Sequence, residues 1–221
     1  MRRGLCTFVM CISAFFAAGK QTIAAENKLD GYSYMSLEGE NEFYTRAPDA
    51  IKLGMIGGND ANRNHAFSAL NILASFADTP VHPSHGSTVD FVGLFFGDNI
   101  ITGKDIDFSQ IPTISQDIET VELLKKSYQP GVGCVSSALY DKDGAFLRSA
   151  IVANMNVEQK KLLGCVLDVA AHIFGISTSQ SDPGLAIEDK FATIGRMIGA
   201  RNECLRAGDN TLSCAYSKLE K

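Results

Sequence analysis

The chain has 221 residues, of which 45% are hydrophobic and 20% are charged, and its formal net charge is −5. Hydrophobic residues occur throughout, so the composition indicates a folded domain with a packed core and excludes disorder as the main state. The acidic balance argues against nucleic-acid binding, which needs a basic face, and no segment has the roughly 20 uninterrupted apolar residues that span a bilayer.

The N-terminus has the layout of a secretory signal peptide. Arg2 and Arg3 precede an apolar run over residues 5–18, and small residues follow, with candidate cleavage points after Gly19 and after Ala25. A membrane anchor is the alternative interpretation, but the apolar run is short for one.

The expected processing sets the domain boundaries and the location. We expect a signal peptide over residues 1–25, followed by a single α/β domain over residues 26–221. The mature chain keeps 17 basic and 25 acidic residues, a net charge of −8. The predicted location is periplasmic or secreted, with the membrane involved only through export.

The mature chain retains an even number of cysteines, Cys134, Cys165, Cys204 and Cys214. In an exported protein this predicts two disulfides, for which three pairings exist. Cys204 and Cys214 flank a turn-like Gly-Asp-Asn sequence, which favours a bridge between these two and leaves Cys134 for Cys165.

Helical and strand patterns alternate along the first half of the domain. Residues 26–50 are typical of an irregular arm or short strands, and a short apolar stretch ends at Ile56. Apolar residues at helical spacing predict a helix over residues 62–77, and a run of apolar residues predicts a buried strand over residues 89–96. A further helix, capped by Ser115, is expected to run to about Tyr128.

The second half begins with a predicted β-hairpin over residues 133–155 and continues with two helices. The first helix spans residues 157–174, with Asn156 as its cap and Gln159 completing a capping box. The second spans residues 184–198 and ends before Gly199. The expected fold class is α/β (α+β), with a small mixed sheet that contains the hairpin and is packed by helices.

One turn of the helix over residues 157–174 carries the candidate chemistry. Asp168 and His172 are four residues apart and therefore project from the same side. Zincins place two metal ligands at this spacing in H-E-x-x-H, and the longer pattern adds a Gly and a third His. Here Val169 stands at the position of the Glu that serves as general base, and Thr178 stands at the position of the third His. The usual proton acceptor is therefore missing. A hydrogen-bonded Asp–His pair and a metal site are the two alternatives.

The same region resembles a family of exported bacterial proteins that is known only as a domain of unknown function with a zincin-like helix. The family pattern is roughly C-x-x-E-E-x-x-Q-x-L-G on that helix, after a strand that opens with Cys. The corresponding residues in this chain are Cys134 on the strand and Cys165, Asp168, His172 and Gly175 on the helix.

This resemblance covers residues 60–180 and implies a zincin-like core and an exported location. It also supports the bridge between Cys134 and Cys165. The chain departs from the family at Val169, where many members have a second acid. Since the family has no established reaction, the resemblance concerns fold and location more than activity.

Two further histidines are candidate metal ligands. His82 and His85 are three residues apart in a predicted loop, and together with His172 they would complete a zinc site. Two solvated histidines in a surface loop are the alternative. We therefore expect no resident cofactor, with zinc as the one candidate.

The leading functional hypothesis is a non-catalytic, zincin-like domain that binds a protein, a peptide or an envelope component. The second hypothesis is a metal-dependent hydrolase that uses His172, Asp168 and a loop histidine, with a base from elsewhere. A purely structural envelope protein is the third. Nucleic acid is not an expected partner.

Overall fold

A five-stranded mixed sheet forms the centre of the structure, a computed structural model that describes residues 29, 31–36, 40–84, 91–178 and 184–220. The strands, in chain order, are β1 (Ser33–Tyr34), β2 (Ile51–Ile56), β3 (Val81–Pro83), β4 (Phe91–Gly97), β5 (Cys134–Tyr140), β6 (Phe146–Asn154) and β7 (Ile176–Ser177). The large sheet has the order β3-β2-β4-β6-β5, in which β3, β2, β4 and β6 are parallel and β5 is antiparallel to β6. Strands β1 and β7 form a separate antiparallel pair. The expected signal peptide lies outside the described residues.

The side chains of the sheet point alternately into two cores. Leu94 and Phe96 of β4 enter the larger core, whereas Phe95 enters the smaller one on the opposite face. All seven residues of β4 are buried because parallel strands flank it and helices cover both of its faces. The apolar run over residues 89–96 therefore predicted this central strand correctly over its described part.

Helices cover both faces of the sheet. They are α1 (Asp60–Ser75), α2 (Pro112–Ser115), α3 (Ile118–Ser127), α4 (Gln159–Ile173), α5 (Ile187–Arg206) and α6 (Leu212–Leu219), with a 3₁₀ turn at Phe108–Gln110. The larger core contains apolar residues of α1, α4 and α5, and the smaller core contains Ile114 of α2 and Leu124 of α3. The predicted class, a mixed sheet with a hairpin packed by helices, is confirmed.

Two of the predicted helix caps are wrong. Asp117 rather than Ser115 caps α3, since its carboxylate accepts a hydrogen bond from the backbone N–H of Thr120 at 3.2 Å. Helix α4 starts two residues later than predicted, and its N-cap residue, Glu158, makes no side-chain cap hydrogen bond. The end of α4 was predicted correctly, because Gly175 adopts φ +71° just after it.

The C-terminal region is more helical than the sequence indicated. Helix α5 continues through Gly199 to Arg206, and α6 follows it. Gly195 and Gly199 lie next to the ring of Phe76, where an added Cβ at Gly195 would come within 2.8 Å of the ring. Contact with Phe76 after the C-terminal end of α1 thus accounts for Gly195, whereas Gly199 would leave room for a Cβ and does not end the helix.

Both predicted disulfides are present. Cys134 is bonded to Cys165, and Cys204 is bonded to Cys214. Two disulfides are typical of proteins that fold in an oxidising, extracytoplasmic environment. Within the described ranges, no helix is long and apolar enough to cross a membrane.

Candidate functional site

Strand β5 and helix α4 together form the candidate site. Successive side chains of a strand alternate between its faces, so Cys134, Ser136 and Ala138 point in one direction. This direction faces α4, where Cys165 forms the disulfide with Cys134. Asp168 lies almost one helical turn further along α4 and therefore faces Ser136.

The carboxylate of Asp168 is held by two hydroxyl groups. The Oγ of Ser136 donates a hydrogen bond to Oδ2 at 2.5 Å, and the Oγ1 of Thr178 donates one to Oδ1 at 2.5 Å. Both carboxylate oxygens are thus engaged, and Asp168 connects α4 to β5 and to the segment after β7. The Asp168 side chain remains about one-third exposed, at 34%.

His172 lies beside Asp168, as their spacing on the helix requires. Its Nδ1 is 2.7 Å from the main-chain oxygen of Asp168 and 3.6 Å from Oδ1 of the carboxylate. Because a carbonyl oxygen only accepts, the ring donates from Nδ1, and in the neutral ring Nε2 carries the lone pair. The imidazole is 30% exposed, and Nε2 is the ring nitrogen that does not contact Asp168.

Tyr140 adds a contact that the sequence did not indicate. Its hydroxyl donates a hydrogen bond to the main-chain oxygen of His172 at 2.8 Å. Burial raises the pKa of Tyr140 far above its usual value, and the nearby charges of Asp168 and Tyr44 raise it further. The phenol is thus a neutral donor that fixes the C-terminal turn of α4 against β5.

Three positions of the zincin pattern meet in space. Asp168, His172 and Thr178 occupy the positions of the three histidines of the longer motif, and Thr178 is bonded to Asp168 directly. Val169, at the position of the catalytic Glu, is 1% exposed and belongs to the larger core. The polar residues at these positions thus contact Asp168, and the side chain of Val169 occupies the position where zincins carry the general base.

His82 is not brought to this site. His82 lies on β3, and β3 and β5 are the opposite edges of the sheet, with three strands between them. At the usual strand spacing this separates the two edges by about 19 Å. His85 lies outside the described residues. In the part of the chain that the structure describes, no three His, Cys, Asp or Glu side chains form a group that could hold a metal ion.

Sequence reasoning found Asp168 and His172 from their spacing but did not identify their hydroxyl partners. Alternation along β5 would have placed Ser136 on the side of the disulfide, whereas Thr178 was noticed only as a departure from the motif. Comparison with protein-family models, curated proteins and solved structures finds no match to this chain. The resemblance to exported zincin-like proteins stays a prediction.

Proposed function

We propose that the chain is an exported, zincin-like binding domain that holds an extended segment of a partner protein along β5 without cleaving it. The location we propose is the periplasm or the outside of a bacterial cell. The observation that carries this proposal is the position of β5 at the edge of the sheet, directly beside the Asp168–His172 pair.

The hydrogen-bond pattern of the hairpin supports strand addition at this edge. The backbone N–H of Asn154 donates to the oxygen of Gly133. In an antiparallel pair, every second residue bonds to the neighbouring strand through both its N–H and its C=O. On this side of the hairpin these are residues 133, 135, 137 and 139. The alternate residues, Cys134, Ser136 and Ala138, direct their N–H and C=O groups away from β6. No backbone group among the described residues bonds to these outward groups. Cys134 and Ser136 are only 6% and 8% exposed, so the accessible part of this edge begins at Ala138, where an extended segment would align with β5.

The polar pair supplies a means of selection beside that edge. A bound strand would pass next to the partly exposed Asp168 and His172, whose carboxylate and ring acceptor suit a basic or hydroxyl side chain. The expected net charge of −8 on the mature chain adds a preference for basic segments. Main-chain hydrogen bonds would give affinity, and the pair would give specificity.

The chemistry of the site supports binding rather than hydrolysis. Hydrolysis needs a group that accepts a proton from water, and the position that carries this group in zincins is the buried Val169. Metal-dependent hydrolysis stays the alternative hypothesis.

The experiment selects linear peptides from a random library on the purified, oxidised protein and then measures their affinity for variants. We expect Ala138→Pro to weaken binding at least tenfold, because proline removes an outward N–H and adds a ring at the edge. The matched control is Ala138→Ser, which keeps the N–H and should bind normally.

Modified peptides keep the test valid if Ala138→Pro does not fold. Peptides that are N-methylated at every second residue should lose binding in one of the two registers and keep it in the other, because only alternate groups face β5. Equal affinity in both registers would contradict strand addition. Cleavage of a bound peptide that stops when divalent ions are chelated would contradict the non-catalytic part of the proposal and favour the hydrolase.

A further inference from the structure

A second site lies in a cleft of about 810 Å³, which the hairpin turn borders at Lys142 and Asp143. Its walls come from residues 43–49, from the segment after α1 and from α5. This volume is within the usual range for pockets that hold small molecules. Apolar side chains line part of it: Phe43, Phe174, Ile198 and Leu205.

The side chain of Arg201 on α5 borders this cleft and is almost completely buried, at 3% exposure. Its guanidinium lies over the ring of Phe43, 5.0 Å from the ring centre. Its Nη2 donates a hydrogen bond to the main-chain oxygen of Thr45, whereas its Nε is buried with no hydrogen-bond partner. Thr45, 1% exposed, also has a buried hydroxyl oxygen without a partner.

No carboxylate in the described chain forms an ion pair with Arg201, which is unusual for a buried cation. Burial lowers the pKa of Arg201 to about 10, and the charge of Tyr34 offsets only part of this effect. A guanidinium that is removed from water without a counter-ion destabilises the fold unless an anion accompanies it.

The other charges of the cleft lie on its exposed rim. Arg46 and Lys142 stand there with Asp49, Asp78 and Asp143. Asp78 forms an ion pair with Arg206. The rim is thus nearly balanced, and the unneutralised charge of the cleft is that of Arg201.

We propose that this cleft binds a small organic carboxylate, with the anionic group at Arg201 and Thr45 and an apolar body against the apolar wall. A planar guanidinium suits a planar carboxylate, and the Thr45 hydroxyl supplies an additional donor. The cleft is separate from β5, so this inference does not depend on the strand-addition proposal.

The test uses hexanoate and N-acetyl-leucine as probes and hexanamide as the neutral control, with calorimetry and thermal denaturation on the oxidised protein. Hexanoate has a free acyl carboxylate, whereas N-acetyl-leucine has the carboxylate of a peptide C-terminus. The probe that binds more tightly therefore shows which of these two classes of carboxylate the cleft prefers. We expect the tighter probe, at saturation, to raise Tm by about 5–10 °C, and we expect hexanamide to have little effect.

Variants assign the effect to the buried cation. Arg201→Met should weaken carboxylate binding at least tenfold, and Thr45→Val about fivefold, because each loses a donor to the anion. The matched control is Arg196→Met, which removes an exposed arginine of the same helix and should leave binding unchanged.

Three results would overturn the proposal: no binding of either carboxylate, equal stabilisation by hexanamide, or full carboxylate affinity in Arg201→Met. If Arg201→Met does not fold, two other measurements test the proposal. They are the carboxylate affinity of Thr45→Val and the comparison of hexanoate with hexanamide on the wild-type protein. Unchanged carboxylate affinity in Thr45→Val would then count against the site.

Discussion

The Oγ of Ser136 lies 2.5 Å from Oδ2 of Asp168, so a hydroxyl on the edge strand β5 is bonded to a carboxylate on α4. The disulfide between Cys134 and Cys165 joins the same two elements two residues earlier on the strand and three residues earlier on the helix. A covalent bond and a charge-assisted hydrogen bond therefore fix the same register between β5 and α4.

Removal of the Ser136 hydroxyl should destabilise the protein by about 1 kcal/mol. A hydrogen bond to a charged group contributes more than this when buried, but the carboxylate of Asp168 is partly exposed. Urea denaturation of Ser136→Ala, Asp168→Ala and the double variant should give a coupling energy of similar size. Ser137→Ala is the control, because this neighbouring serine points away from α4 and should change stability less. Additive effects of the two single variants would contradict the proposed linkage.

The two disulfides should differ in their contribution to stability. The bridge between Cys134 and Cys165 spans 31 residues and the one between Cys204 and Cys214 spans 10. In the chain-entropy model the longer loop contributes about 3–4 kcal/mol and the shorter one about 2–3 kcal/mol. Paired Cys→Ala variants of each bridge, compared by urea denaturation, measure both values. A larger loss for the shorter loop would show that native contacts, rather than loop entropy, determine the order.

The hairpin and the central strand could be predicted because their signals are local. The turn Asp141-Lys142-Asp143-Gly144 ends in a glycine at φ +76°, a conformation that glycine adopts readily. The end of α5 could not be predicted, because a glycine at position 199 signals a helix end unless tertiary packing is known. The ring of Phe76, which an added Cβ at Gly195 of the same helix would meet at 2.8 Å, comes from a segment more than a hundred residues away.

The residues of the candidate sites also differ in whether a local sequence signal predicts them. Asp168 and His172 follow from helical periodicity, which acts over four residues. Ser136 and Thr178 come to Asp168 from a strand and from a separate segment, and isolated hydroxyl residues carry no signal of such a meeting. Arg201 lies beyond the predicted end of α5, so its burial could not be anticipated, and the cleft it borders depends on distant segments.

Three glycines allow conformational strain to be separated from steric contact. Gly175 and Gly208 both adopt positive φ, +71° and +78°, but an added Cβ would meet Thr45 at 2.9 Å only at Gly175. Gly208→Ala should therefore cost about 1 kcal/mol, and Gly175→Ala about 2–3 kcal/mol. Gly164→Ala, inside α4 with open space around it, should stabilise by up to about 1 kcal/mol. Thermal denaturation of the three variants gives the order, and equal losses at positions 175 and 208 would exclude a steric contribution from Thr45.

The loop between Cys204 and Cys214 should make stability sensitive to acid. The carboxylate of Asp209 accepts hydrogen bonds from the hydroxyl of Thr211 at 2.6 Å and from its backbone N–H at 2.9 Å, which lower the pKa of Asp209 below its usual 3.8. As the pH falls, Asp209 becomes protonated in the unfolded chain at a higher pH than in the folded protein. The stabilisation is thus complete above about pH 4 and is lost as the pH falls through the lower folded-state pKa.

Asp209→Asn should remove this part of the acid dependence. The variant should be less stable than the wild type near neutral pH, and the difference should shrink below about pH 4 as the wild-type carboxylate becomes protonated. Urea denaturation across the acid range measures the difference. Asp143→Asn serves as the control, because Asp143 is an exposed acid whose carboxylate accepts no hydrogen bond in the described chain. A constant difference between wild type and Asp209→Asn at every pH would show that the carboxylate charge is not responsible.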